Sequence, residues 1–252
     1  MIFKIKNNLK NFIKHYKSNF QIKKKIEIFP DQICNFSKIP TTIKDNFLFK
    51  ISEICKKEST EKKAWDLSAK IFKDINMNIN NLGEFYNINS EILLNYTADV
   101  IFLPWTHFKP SKYKDINFKV FYNEEYQYLQ FKKIFDLNRS IIKYGYLPER
   151  FPTRQGGISG YFLTKGNKKV FYVVSGNHRV AVLSSLFPKK KIPVVFENIK
   201  NLKKRDIQDS ILEKSRVHPE NFSYEGIANW PSVKSGFINK NCAKAIFLNY
   251  FK

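Results

Sequence analysis

The residues whose types and order could do chemistry lie in one short stretch, Val173-Val174-Ser175-Gly176-Asn177-His178-Arg179-Val180-Ala181. An apolar strand delivers the chain to a glycine, which permits a sharp turn, and a helix is predicted to begin at once. The first backbone N–H groups of a helix have no partner within it. Together with the helix dipole they favour an anion, typically a phosphate. Arg179 adds a bidentate clamp and His178 a second donor, while Asn177 or Ser175 supplies an oxygen to cap the helix start. Spacing alone leaves a plainer reading open, an ordinary strand-to-helix turn with a solvated arginine, because one short glycine turn has low specificity.

Further candidates flank this stretch. His107 and Asp115 lie in a predicted loop and are the candidate general bases, with His178 a third catalytic candidate. Arg154 precedes Gly156-Gly157-Ile158-Ser159-Gly160 and is placed to reach a phosphate or to face solvent. The glycine run itself reads as a lid over the site or as a plain surface loop. Arg139 is given no firm role, and Trp105 and Trp230 read as core anchors. Neither His15 nor His218 shows metal-type spacing, and no H-x-x-H pattern is present.

The elements that must position these residues follow from periodicity and punctuation. Val100–Leu103 reads as a buried strand stopped by Pro104. Asn123-Glu124-Glu125 opens a helix with acids in its first turn, Tyr126, Leu129, Ile134, Leu137 and Ile141 form its apolar side, and Gly145 closes it. Two β-rich runs, Tyr161–Thr164 and Val170–Val174, flank Lys165-Gly166-Asn167-Lys168 and predict a hairpin. A helix ending at Pro188 and a strand over Ile192–Phe196 complete what reads as a β-α-β crossover. Residues 40–96 read as mostly helical, with Ser59-Thr60-Glu61 a helix start and Ala64, Trp65, Ser68, Ile71, Phe72 and Ile75 a buried stripe. Asp206–Lys214 and Asn241–Phe251 are further predicted helices.

Composition bounds the rest. The 252 residues carry 44 Lys+Arg against 22 Asp+Glu, a formal charge of +22, yet only six of the bases are arginines. Lysine is thus the common cation here and an arginine the more informative one. A lysine coat in water accounts for the excess, and so does an anionic partner, DNA or a lipid surface. Residues 1–25 hold eight lysines and no acid, with apolar residues at helical spacing. They predict a basic amphipathic helix, packed on the protein or docked on an anionic membrane. No apolar run is long enough for a membrane span. Three distant cysteines, Cys34, Cys55 and Cys242, argue against a disulfide scaffold and for a reducing, cytoplasmic setting, with peripheral membrane contact through the first helix as an option.

With these motifs in place, residues of about 97–198 resemble the ParB/sulfiredoxin superfamily. The resemblance rests on Ser175–Arg179 after a strand, on the Pro104–Pro110 loop after Val100–Leu103, and on Ser140-Ile141, Gly145 and Pro148 in that order. It implies a small mixed sheet with helices over residues 97–198; with the flanks as read above, the expected fold is α+β, that domain lying between a helical N-terminal region (1–96) and a helical C-terminal extension (199–252). It also implies that the turn Gly176, Asn177, His178 and Arg179 binds the phosphates of a nucleotide, ATP or ADP, or CTP; Ser175 and Arg154 join these as phosphate-binding candidates from the residue reading. Sulfiredoxins use a cysteine inside this turn, where Asn177 stands here. ParB proteins carry an arginine where His178 stands. Kinases of free serine carry a glutamate in the loop after the first strand, and residues 104–115 contain none. The expectation is a nucleotide-binding protein and a phosphotransferase acting with Mg2+ on a small hydroxyl compound or glycan precursor, with His107 or Asp115 as base. The alternative is a non-catalytic module that binds DNA or another polyanion through its basic surface.

Overall fold

The computed structural model describes residues 25–35, 46–78, 103–106, 123–148, 157–196 and 221–251. Within them the fold is α+β: helices beside a mixed, six-stranded open sheet. The strands are β1 (Lys25–Ile28), β2 (Ile33–Cys34), β3 (Ser159–Lys165), β4 (Lys168–Ser175), β5 (Ile192–Phe196) and β6 (Asn221–Ser223). The α-helices are α1 (Phe47–Lys57), α2 (Glu61–Asn78), α3 (Glu124–Tyr144), α4 (Asn177–Leu186), α5 (Pro231–Lys234) and α6 (Lys240–Leu248).

The sheet order is β1-β5-β3-β4-β2, with β6 also paired to β3. β3 and β4 form the predicted hairpin, closed by Gly166-Asn167, with Phe162 opposite Phe171 and Tyr161 opposite Tyr172. β5 runs parallel to β3, touching it only at Ser159–Val195 and Gly160–Phe196. Since β3 is antiparallel to β4, β5 is antiparallel to β4 as well. The predicted crossover, which joins parallel strands, is therefore corrected. The short overlap gives the reason: β5 arrives from beyond the first residues of β3 instead of returning beside β4.

Two further corrections concern the flanks. Residues 25–34 hold no α-helix, only one 3-10 turn at Pro30–Gln32 between two strands: β1 pairs antiparallel with β5, and β2 pairs parallel with β4. Ile26 and Ile28 alternate with Lys25 and Glu27, a period of two that fits a strand and not a helix. At the other flank, β6 pairs with β3 through Phe162–Asn221, Leu163–Phe222 and Thr164–Ser223. The sheet thus draws on chain either side of 97–198. The predicted helices over 1–24 and Asp206–Lys214, and all of the predicted strand Val100–Leu103 except Leu103, lie outside the described residues; Leu103 itself is not in a strand.

Helices α1 to α4 pack on one another. The Asn123 side chain accepts from the Tyr126 amide at 2.8 Å, and Gly145, at φ 77°, closes α3 as expected. The buried side of α3 differs from the apolar pattern. Leu129 is 48% exposed, while Gln127, Gln130 and Asn138 are buried with Phe131, Ile134, Phe135 and Ile141. Polar groups sit inside because they have partners there: the Asn138 amide donates to Ser52 Oγ at 3.1 Å, and Gln130 meets α4. On α2, Ala64, Ser68 and Phe72 of the predicted stripe are fully buried, and Trp65 and Ile71 pack partly buried against the same core.

One sheet face carries an aromatic core. Tyr161 and Tyr172 stack at 5.3 Å. Trp105 packs edge-on against Tyr172, Trp230, Phe247 and Tyr250, and its indole N–H donates to the Tyr161 hydroxyl at 2.9 Å. Ser232 at α5 donates to the Pro104 carbonyl at 2.9 Å. Both tryptophans are anchors, and they tie the Pro104-Trp105 segment to the C-terminal helices.

Candidate functional site

The corner between β4 and α4 is built on Gly176. Its φ of 96° and ψ of 21° lie in the left-handed region, which only glycine enters at little cost. The Val180 amide donates to the Gly176 carbonyl at 3.0 Å, so Gly176 is the helix cap. No side chain bonds the helix start. The expected cap by Asn177 or Ser175 is thereby corrected. The cap residue has no side chain, Ser175 still belongs to β4, and Asn177 is already the first residue inside the helix.

The corner is walled on one side. A Cβ on Gly176 would stand 3.0 Å from the Gly157 carbonyl oxygen and 3.0 Å from Ile158 Cα. Ile158 is buried, and its carbonyl accepts from the Val195 amide at 2.9 Å. This end of the glycine run is a fixed wall joined to β5.

His178 turns into the protein. Its Nε2 lies 2.7 Å from Gln130 Oε1 on α3, so Nε2 carries the proton and donates it to the amide oxygen. Burial pushes the imidazole down to about 4, and the nearby cations Lys133 and Arg179 push the same way. The ring is neutral near pH 7 and its N–H is already used. It fastens α4 to α3 instead of adding a charge or a donor at the corner.

Arg179 differs. Its side chain is half-buried and, among the described residues, has neither a hydrogen bond nor an ion pair. Burial lowers its pKa and nearby Tyr146 acts in the opposite sense, but a guanidinium remains a cation throughout. Asn177 Oδ1 is also buried without a partner. Among the described residues, no carboxylate figures among the groups acting on His178 or Arg179, and Arg179, Lys133 and the helix amides there are all of one sign.

The far end of α4 is held by α1. Lys56 Nζ donates to the Ser185 carbonyl at 3.0 Å, a cation where the helix dipole is negative. Ser185 Oγ donates to Glu53. Arg139 donates to the Glu58 and Ser59 carbonyls at 2.6 and 2.8 Å, closing the end of α1.

The structure therefore brings Ser175, Gly176, Asn177, His178 and Arg179 to one corner. His107, Asp115 and Arg154 lie outside the described residues. Gln130, Lys133 and Tyr146 were not singled out by sequence reasoning, and Ile158 entered only as part of the glycine run. Tyr146 follows the helix-closing Gly145 and could have been found there; Gln130 carries no local signal. Among the described residues no cluster of His, Cys, Asp or Glu could hold a metal, and none of the helices is long and apolar enough to cross a membrane. The three cysteines are buried thiols, with Cys55 and Cys242 pushed up to about 12 by desolvation. No family model, no curated protein and no solved structure matches this chain.

Proposed function

We propose that the β4–α4 corner binds the phosphate group of a nucleotide, as the resemblance of this turn to the ParB/sulfiredoxin superfamily implies. The observation that carries the reading is Arg179. A half-buried cation without a partner among the described residues is costly, and it stands beside helix amides that also favour an anion. An incoming phosphate would offset both. The narrower reading is phosphoryl transfer to a small hydroxyl compound or glycan precursor, in which Arg179 and the amides hold the phosphates. The nucleotide would bring Mg2+, Arg154 would add a second clamp, and His107 or Asp115 would accept the acceptor's proton.

Thermal shifts of the full chain with ATP, ADP and CTP, each with and without Mg2+, test the binding. A ligand that binds the folded state raises the melting temperature, by an amount that grows with the logarithm of its excess over Kd. The expected result is a rise with at least one nucleotide that Arg179→Ala removes. A flat response to all three, or a rise that survives Arg179→Ala, refutes it.

A further inference from the structure

β1 ends the sheet. Among the described residues it pairs only with β5, in an unbroken register from Lys25–Val195 to Ile28–Ile192. The N–H and C=O groups along its other side have no strand partner among the described residues, and such an edge invites a further strand. The four residues of β1 alternate. Ile26 and Ile28 share a face with Val194, Ile192 and Phe196. On that face an open groove of about 370 Å3 leaves Phe162 and Phe196 half-buried. Lys25 and Glu27 share the opposite face. Both are exposed, and neither has an ion pair among the described residues.

We propose that β1 pairs edge to edge with β1 of a second copy of this chain, antiparallel about a two-fold axis at Ile26. A two-fold that sets identical edge strands antiparallel with their faces aligned runs normal to the sheet. Such an axis places one residue opposite its own copy, so the registers are few. Centring on Lys25 or Glu27 sets like charges face to face, which is destabilising. Centring on Ile28 sets Ile26 opposite Pro30, which has no N–H to give. Centring on Ile26 sets Ile26 opposite Ile26, and Lys25 opposite Glu27 on both sides of the axis. Of these registers, that one alone is apolar on one face and charge-complementary on the other. Affinity comes from backbone hydrogen bonds and from an apolar face made continuous across both copies. The exposed ion pairs add little affinity and fix the register. The inference uses no residue of the β4–α4 corner and stands apart from that reading.

Sedimentation velocity of the full chain over a concentration series tests it. The net charge of +22 repels copies at a distance, so the salt is set at about 0.15 M, where a Debye length of about 8 Å leaves the near contacts acting. So short a pairing belongs to the weak, transient class, and a Kd of about 10–100 µM is expected. Lys25→Glu and Glu27→Lys should each weaken the dimer about tenfold, although they move the net charge in opposite directions. The double variant carrying both changes should restore it. An equal mixture of the two single variants should form a heterodimer, because each then presents the charges the other lacks. Ile26→Cys in an otherwise unchanged chain should give a disulfide-linked dimer under mild oxidation, the three native thiols being buried. Lys25→Cys, which lies two residues out of register with its own copy, should not link. A monomer up to about 1 mM, single reversals without effect, no recovery in the double variant or the mixture, or linkage through Lys25→Cys in preference to Ile26→Cys overturns the proposal.

Discussion

His178 Nε2 and Gln130 Oε1 meet at 2.7 Å, across the contact between α4 and α3. That bond requires a proton on Nε2, and burial keeps the ring neutral. One residue further on, Arg179 keeps its charge and has no partner among the described residues. Adjacent side chains at the start of one helix thus divide two tasks, fastening the helix and presenting a cation.

The neutral histidine makes stability depend on pH. Its folded pKa of about 4 lies below the ordinary 6.5. Between those values the unfolded chain takes up a proton that the folded chain refuses, so acid favours unfolding. The contribution is complete above about pH 6.5 and falls away as the pH drops toward about 4, by on the order of 2–3 kcal/mol. Urea midpoints across this range should show that slope, and His178→Gln should flatten it. Equal slopes in both proteins would mean that the ring is not held neutral.

Gly176→Ala should destabilise the fold by about 2–4 kcal/mol, from a strained left-handed backbone plus a crowded Cβ. Gly145→Ala provides the comparison. Its φ is also positive, at 77°, but nothing lies within 4 Å of the added carbon. Only the backbone cost applies there, about 1–2 kcal/mol. Equilibrium unfolding of both variants checks the order, and a larger loss at Gly145 would contradict the packing of Gly157-Ile158 on the corner.

Arg179→Ala should leave the ligand-free protein as stable as before, within about 1 kcal/mol, or raise its stability, because the guanidinium is partly desolvated without compensation. A loss of several kcal/mol would show that Arg179 has a structural partner and is not held ready for an anion. The melting temperature without ligand gives the answer directly.

Trp105→Ala should cost about 3–5 kcal/mol, the usual range for emptying a fully buried large aromatic site. The indole joins the sheet to the C-terminal helices through Tyr172, Trp230, Phe247 and Tyr250. Denaturant unfolding that stays cooperative but shifts to a lower midpoint is the expected outcome. An unshifted midpoint would separate this tryptophan from the core.

Much of the local structure was legible in the amino-acid order, since its causes lie within a few residues. Asn123 and Gly145 mark the ends of α3, Gly166-Asn167 turns the hairpin, and Gly176 breaks β4 from α4. The α+β class follows from such elements taken together. What escaped was decided by partners distant in the chain. β2 is a two-residue strand paired with residues 171–172, and β6 is three residues paired with 162–164. Segments so short have too few residues to show a period.

Sequence alone determined that a strand, a glycine and a helix start stand in that order, with histidine and arginine next to each other, because backbone conformation at a turn is a local property. Tertiary structure decided which of those two side chains faces inward. A histidine's charge depends on burial and on the group opposite it, and Gln130 lies 48 positions away. The direction of β5 was likewise settled by its pairing with β3 and β1, since strand order is a property of the assembled sheet and of no single segment.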